Sequence, residues 1–143
     1  MDRRKFLATG VVTTAAGVVV PQVVLAEPQK KRDPLASPLA GGIFYTEAHP
    51  GRWASKAGIH VPQVQSSGGM VLVTTRHVMD GYTHYIVKHV LLDAGMNVLG
   101  EHHFDPMKDK APVSEFEVKT YKGLAFAVSM CNQHDVWVTE FTI

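Results

Sequence analysis

The apolar and polar residues of the second half of the chain alternate in the way that predicts β-strands. Residues 113–118 alternate strictly, as a half-buried strand should, and residues 136–143 repeat the pattern at the C-terminus. Other apolar, β-branched runs lie at residues 70–75, 85–92, 97–104 and 124–130. Residues 59–64 surround Pro62 and suit an edge strand. About seven short strands with regular turn signals and no helical run predict an all-β sandwich.

The first 26 residues have the pattern of an export signal. Residues 2–7 read Asp-Arg-Arg-Lys-Phe-Leu, which matches the twin-arginine pattern, and a mildly apolar stretch over residues 8–24 follows. Ala26 offers a small residue for cleavage. A membrane anchor is the alternative, but the stretch is short and rich in Thr, Gly and Ala. We expect a twin-arginine signal peptide at residues 1–26 and a periplasmic mature protein with no membrane segment.

Composition limits what the mature chain can be. Residues 27–42 are charged and interrupted by prolines, which predicts a flexible linker before one domain at residues 43–143. The 14 Lys and Arg residues nearly balance the 13 Asp and Glu residues, and no basic stripe is visible. We therefore expect no nucleic-acid partner. The single cysteine excludes an internal disulfide and a four-cysteine metal site.

The candidate chemistry lies where predicted strands meet loops. Cys131, the only cysteine, precedes the last predicted strand, and a histidine follows it by three residues. Thiolate and imidazole groups are good ligands for iron, copper and zinc. Side chains at such junctions can converge on one ion. The candidate ligands are His60, His77, His84, Cys131 and His134, whereas we expect ordinary partly buried roles for His49, His89, His102 and His103.

Three motifs resemble those of the superoxide reductases, the iron domain of desulfoferrodoxin. Residues 131–137, Cys-Asn-Gln-His-Asp-Val-Trp, resemble the family's Cys-Asn-x-His-Gly-x-Trp signature. Residues 77–86 resemble its His-Pro-Met-x-x-Glu-His-Tyr-Ile segment, and residues 59–62 resemble its Lys-His-x-Pro. The motifs occur in the same order and at similar spacing, and the resemblance covers residues 53–143.

This resemblance implies a fold, a cofactor and a reaction. The fold would be an immunoglobulin-like sandwich of seven antiparallel strands, and the chain would be a one-iron member. One iron, Fe2+ or Fe3+, would have Cys131 as its axial thiolate and four equatorial histidines, namely His60, His77, His84 and His134. The turn histidine would bind through Nδ1 and the others through Nε2. The implied reaction reduces superoxide to hydrogen peroxide with an external electron-donor protein, and the family implies a homo-oligomer.

The chain departs from the family motifs at three places. The loop from His77 to His84 is one residue longer, with Val and Thr in place of Pro and Glu. Ile59 stands where many members carry a lysine, so Lys56 is a candidate to attract superoxide in its place. Asp135 replaces the glycine after the last histidine, where its carboxylate either hydrogen-bonds a ligand histidine or faces water.

Two alternatives stay open at this point. The first is a metal-binding electron-transfer protein, with iron or a blue-copper-like site, that lacks superoxide reductase activity. A β-sandwich with Cys-x-x-His near its C-terminus also describes blue-copper proteins, although those normally carry a methionine soon after the last histidine. This chain has no methionine after Met130. The second alternative is a domain without metal, in which the cysteine is an inert core residue. The histidines at the strand junctions favour a metal-binding protein over this structural one.

Overall fold

The computed structural model describes residues 11–13, 19–21 and 34–143. The chain divides into two compact units, Met1–Arg32 and Asp33–Ile143. In the first unit, β1 (Val11–Thr13) pairs antiparallel with β2 (Val19–Pro21). The two arginines and the cleavage site of the predicted export signal lie outside the described residues. Of the residues described, none belongs to a helix with the length and apolar character to cross a membrane.

The second unit is a β-sandwich. Its described strands are β3 (Phe44–Tyr45), β4 (Gln63–Ser67), β5 (Met70–Thr74), β6 (Ile86–Asp93), β7 (Val98–His103), β8 (Val113–Glu117), β9 (Leu124–Cys131) and β10 (Asp135–Thr142). One sheet has the order β3-β10-β9-β6-β7 and the other β4-β5-β8. The short β3 runs parallel to β10, and the remaining pairs are antiparallel. The predicted sandwich of seven antiparallel strands, here β4 to β10, is thus confirmed.

The core lies between the two sheets and follows the alternation in the sequence. Inward-facing apolar side chains of both sheets form one buried cluster, consisting of Val71, Val73, Leu91, Phe116, Val118 and Ala127. On β8 the buried residues alternate with exposed ones, as the strict alternation predicts. A second apolar cluster includes Val90 and Phe126, and Leu35 from the segment before β3 packs against it. Residues 34–36 form a short 3-10 helix there.

Gly100 on β7 leaves room for the ring of Phe116 in the opposite sheet. A methyl group at Gly100 would stand 2.5 Å from Phe116 Cδ1, so Gly100→Ala overpacks the core. We expect it to lower the free energy of unfolding by about 1–3 kcal/mol. Gly58→Ala is the matched control because nothing lies within 4 Å of a methyl group there. Chemical denaturation of both variants tests this, and equal stability of the two would contradict it.

Residues 51–60 are helical, whereas the sequence pattern predicts no helical run and places residues 59 and 60 in an edge strand. Gly51–Lys56 is a 3-10 helix, and α1 (Ala57–His60) continues it, so His60 ends a helix instead of opening a strand. Such short helices carry no readable hydrophobic period. Val61 has the extended backbone favoured before a proline, and Pro62 follows it. The helix therefore stops at His60.

A buried polar network links the two sheets through the core. Thr75 Oγ1 donates its one proton to Ser129 Oγ at 2.9 Å. It can therefore only accept from His89, whose Nε2–H donates to it at 2.9 Å. His89 Nδ1 then accepts from Ser114 Oγ at 2.8 Å. All four side chains are buried. His89 is therefore a fully buried histidine whose two ring nitrogens both have protein partners, in keeping with its expected non-ligand role.

The network predicts a pH dependence of stability. Burial, and then the nearby His102, lowers the pKa of His89 from 6.5 to about 4. Between these values the unfolded chain binds a proton that the folded chain does not, so stability falls as the pH drops from 6.5 to 4, by roughly 3 kcal/mol for this group. In metal-free protein, His89→Gln should remove this contribution to the pH dependence of the free energy of unfolding. Parallel stability–pH curves for the two proteins would contradict the assignment.

Candidate metal centre

The structure brings the five candidate ligands together at one end of the sandwich. One ligand atom from each of His60, His77, His84, Cys131 and His134 lies within 4.8 Å of every other. His60 ends α1, and His77 and His84 lie in the loop between β5 and β6. Cys131 is the last residue of β9, and His134 lies in the turn before β10. Three separate chain segments therefore supply the group.

In two of the histidines, a backbone carbonyl determines which ring nitrogen is free to bind a metal. His60 Nδ1 donates to Lys56 O at 2.9 Å, and His77 Nδ1 donates to Val78 O at 2.5 Å. A carbonyl oxygen only accepts, so in both neutral rings the proton is on Nδ1 and the lone pair on Nε2. His60 Nε2 is the one buried side-chain N or O atom without a hydrogen-bond partner among the described residues. A buried lone pair without a partner is costly unless a ligand completes it.

The spacing of the donor atoms fits a single ion. His84 Nε2 lies 3.0 Å from His77 Nε2 and 3.0 Å from His134 Nδ1. Cys131 Sγ lies 3.6 Å from His134 Nδ1 and 3.8 Å from His77 Nε2. Two nitrogens that bind one ion at about 2.1 Å and at right angles are about 3 Å apart. The donors thus have the separations that neighbouring ligands need, with Nδ1 of the turn histidine and Nε2 of the others facing inward.

Burial favours the uncharged form of three of the nitrogen donors and the protonated form of the thiol in the metal-free protein. Burial, with smaller contributions from neighbouring histidines, lowers the pKa of His60 to about 4 and lowers the pKa of His77 and His134 as well. Burial also raises the pKa of Cys131. Neutral imidazole is the form that binds a metal, whereas a thiol must lose its proton first. Metal binding here should therefore release a proton from Cys131.

Side-chain amides tie the Cys131–His134 turn to the loop that carries His84. Asn132 Oδ1 accepts from Tyr85 N at 3.0 Å, and Asn132 Nδ2 donates to Thr83 O at 3.1 Å. Gln133 Nε2 donates to the same Thr83 carbonyl at 2.7 Å. These bonds hold the loop next to His84 in spite of its extra residue. Each of them replaces a contact that water would otherwise make with exposed backbone.

Two further hydrogen bonds support the Cys131–His134 turn, one at the sulfur and one at the backbone. The backbone N–H of Gln133 points at Cys131 Sγ at 3.5 Å. Trp137, which is fully buried, donates through Nε1 to His134 O at 2.9 Å. Hydrogen bonds of this kind orient the residues that bind a metal directly, and they tune how strongly a thiolate donates electrons to it. The tryptophan of the sequence signature therefore supports the backbone of the turn.

Three residues of the Gly51–Lys56 helix lie near the site, and only one of them, Lys56, was a sequence-based candidate. Lys56 ends the 3-10 helix, and its carbonyl accepts a hydrogen bond from His60 Nδ1. Burial and His84 lower the pKa of His134, and the charge of Lys56 adds to this effect. Arg52 and Trp53 were not predicted as site residues, yet both contact Asp135. Their distance from Asp135 in the sequence leaves no local signal for this contact. Within the described residues, the metal-ligand group includes none of His49, His89, His102 and His103.

Comparison with known proteins identifies similar solved structures. No family model and no curated protein matches the sequence. The superoxide reductase (neelaredoxin) from Ignicoccus hospitalis matches at 25% identity over 72% of this chain and 95% of that chain, with a TM-score of 0.58. The chain has the sandwich fold of superoxide reductases.

Two further structures agree with this fold. The E12V variant of the Archaeoglobus fulgidus superoxide reductase (neelaredoxin), in the reduced form, is 23% identical, with coverage of 62% of this chain and 91% of that chain and a TM-score of 0.52. The superoxide reductase from Treponema pallidum is 24% identical, with coverage of 60% and 69% and a TM-score of 0.50. The structural neighbours of the chain are therefore superoxide reductases, and its own donor group is a possible His4Cys metal site.

Proposed function

We propose that the protein is a mononuclear iron protein that reduces superoxide to hydrogen peroxide with electrons from an external donor protein. His60, His77, His84 and His134 would bind the iron through nitrogen, and Cys131 would bind it through sulfur. The observation that carries the proposal is the convergence of these five donors within 4.8 Å. The similarity to solved superoxide reductases supports it.

The chemistry of the donor set favours iron. Bound iron would supply one electron to superoxide, two protons would complete hydrogen peroxide, and the donor protein would restore the reduced state. Four imidazoles and one thiolate exceed the three strong ligands of a blue-copper site. They also exceed the usual four ligands of a structural zinc site. The group therefore fits an ion that takes five protein ligands and keeps one position for substrate.

The protein's own residues would prepare the site for this reaction. The carbonyls of Lys56 and Val78 hold the protons of His60 and His77 away from the donor cluster. The Gln133 N–H limits the electron donation of the Cys131 sulfur. After burial and His84, the positive charge of Lys56 is a further cause that lowers the pKa of His134. We propose that this cation attracts the superoxide anion, as the missing lysine at position 59 would.

Product stoichiometry tests the proposed reaction. The reduced, iron-loaded protein should consume superoxide and yield one peroxide for each superoxide, with one iron oxidised. Dismutation would yield one peroxide for every two superoxide ions and would leave the iron unchanged overall. Zinc-loaded protein is the control, because zinc has no redox chemistry. Iron-loaded protein with no activity above the zinc control would overturn the proposal and leave the electron-transfer alternative.

We also propose that the protein is exported to the periplasm after it has folded around its metal. The twin-arginine pattern of residues 2–7 supports this proposal. Replacing Arg3 and Arg4 together with lysine should retain the protein in the cytoplasm, which cell fractionation with an immunoblot measures. Periplasmic accumulation of the double variant at the wild-type level would contradict this route.

A further inference from the structure

Asp135 makes a contact that neither of its two sequence-based interpretations anticipates. It follows His134 directly and has a positive φ of 62°. Its Oδ2 accepts from Trp53 Nε1 at 2.8 Å and from Arg52 Nη2 at 2.5 Å. The Trp53 and Arg52 hydrogen bonds lower the pKa of Asp135, so the side chain is a carboxylate. It therefore binds neither a ligand histidine nor only water.

The helix that Asp135 fastens contacts two of the five candidate ligands. The edge of the Trp53 ring meets the ring of His134, with centroids 4.6 Å apart and an angle of 87° between planes. Three residues later, the carbonyl of Lys56 accepts the hydrogen bond from His60 Nδ1. The Gly51–Lys56 helix thus orients one ligand through a ring contact and another through its backbone.

We propose that Asp135 is a positioning residue of the metal centre. It fastens the Gly51–Lys56 helix to the Cys131–His134 turn, so that Trp53 covers His134 and the Lys56 carbonyl orients His60. The inference rests on the proposed function, because it assumes that these histidines bind iron. The expected consequence is kinetic. Without the Asp135 contacts, the ligand histidines would leave their positions more often and iron would dissociate faster.

The two partners of Asp135 should contribute unequally. The Arg52 side chain is 64% exposed, and exposed ion pairs contribute little because water screens them and long side chains lose freedom. Trp53 is half-buried and touches His134 directly. Trp53→Phe, which removes the N–H donor but keeps an aromatic ring, should therefore affect the site more than Arg52→Gln.

The backbone at Asp135 allows a clean test. A positive φ suits glycine and is tolerated by asparagine, so Asp135→Gly and Asp135→Asn change the side chain without adding backbone strain. The amide oxygen of Asn still accepts from Trp53, whereas Gly accepts nothing. Glu117→Gln is the matched control, because Glu117, the last residue of β8, is an exposed carboxylate that pairs with Lys119.

The test measures iron release to an iron(II) chelator from full-length, iron-loaded protein. Loss of an outer partner of a metal ligand typically costs about 10–100-fold in metal affinity. We expect release about tenfold or more faster in Asp135→Gly and Trp53→Phe, close to the wild-type rate in Asp135→Asn and Arg52→Gln, and unchanged in Glu117→Gln. Hydrogen exchange of the Trp53 indole N–H, measured on metal-free protein, should accelerate in Asp135→Gly only.

The outcomes separate this inference from the proposed function. Release from Asp135→Gly at the wild-type rate, or an indole exchange rate that does not respond to Asp135→Gly, would overturn the inference. Either result leaves the proposed function standing. Iron-loaded protein that follows the expected order of release rates but consumes no superoxide would overturn the function and leave Asp135 as a positioning residue.

Discussion

Replacing Cys131 with serine is expected to abolish the sulfur-to-iron absorption of the oxidised protein and to weaken iron binding by at least about 100-fold. Cys131 is the sole sulfur in the donor group, so the band has no other source. Loss of an outer partner alone costs about 10–100-fold in affinity, and loss of a direct ligand should cost more. Visible spectra and competition with a chelator measure the two effects.

Met130→Leu is the matched control for this substitution. Successive side chains of a strand point to opposite faces, and Met130 packs against the cluster around Val90 and Phe126, away from the metal centre. The variant removes a sulfur atom one residue from Cys131 and should keep both the band and the iron. A band that persists in Cys131→Ser would exclude the proposed thiolate ligand.

Replacing His60 with glutamine is expected to remove the stabilisation that iron gives to the fold. Ligand binding to the folded state alone adds about 2.7 kcal/mol of stability when free ligand is a hundredfold above its dissociation constant. His60 Nε2 has no protein partner, so its lone pair is available to the metal. Thermal unfolding with and without iron(II) should show a rise in Tm for the wild type and little or none for His60→Gln.

His89→Gln gives the comparison that isolates the metal effect. Both histidines are fully buried, but both ring nitrogens of His89 are already bound by Thr75 and Ser114. The Tm of His89→Gln should therefore still rise on addition of iron, even if its metal-free stability is lower. An equal response to iron in the two variants would show that His60 is not a ligand.

Much of the fold follows from the period of the hydrophobic pattern. The alternation at residues 113–118 and 136–143 appears in the structure as β8 and β10. One face of β8 packs and the other meets water, whereas the adjacent Trp137 and Val138 of β10 are both buried. Turn residues between the runs separate the strands. Sheet membership is set by pairings between distant strands, such as β6 with β9. Such pairings have no signature within either strand.

The donor residues were accessible from the sequence because the motifs preserve their type and order. The structure places His60, His77, His84, Cys131 and His134 in one group. The family resemblance implied which ring nitrogen faces the metal, but the groups that hold the rings in that orientation were not accessible. Two backbone carbonyls, those of Lys56 and Val78, set the ring protons, and backbone acceptors leave no trace in residue identity. The helical position of His60 was likewise hidden, because the 3-10 helix and the four-residue α1 that ends at His60 are too short to show an amphipathic period.

The contacts of Asp135 are another feature that the sequence alone does not predict. The sequence around Asp135 indicates only the neighbouring ligand histidine or solvent as a partner of its carboxylate. The actual partners, Arg52 and Trp53, lie 83 and 82 residues away in the sequence. Contacts of this kind depend on how the sandwich closes, so residues outside the recognisable motifs complete the surroundings of His134.

Metal content measured together with the visible spectrum tests the central claim most directly. The protein should contain about one iron per chain, and a blue sulfur-to-iron band should appear on oxidation and disappear on reduction, as five donors that include one thiolate require. Copper in place of iron, or no bound metal under several loading conditions, would contradict the assignment of a mononuclear iron centre to these five residues.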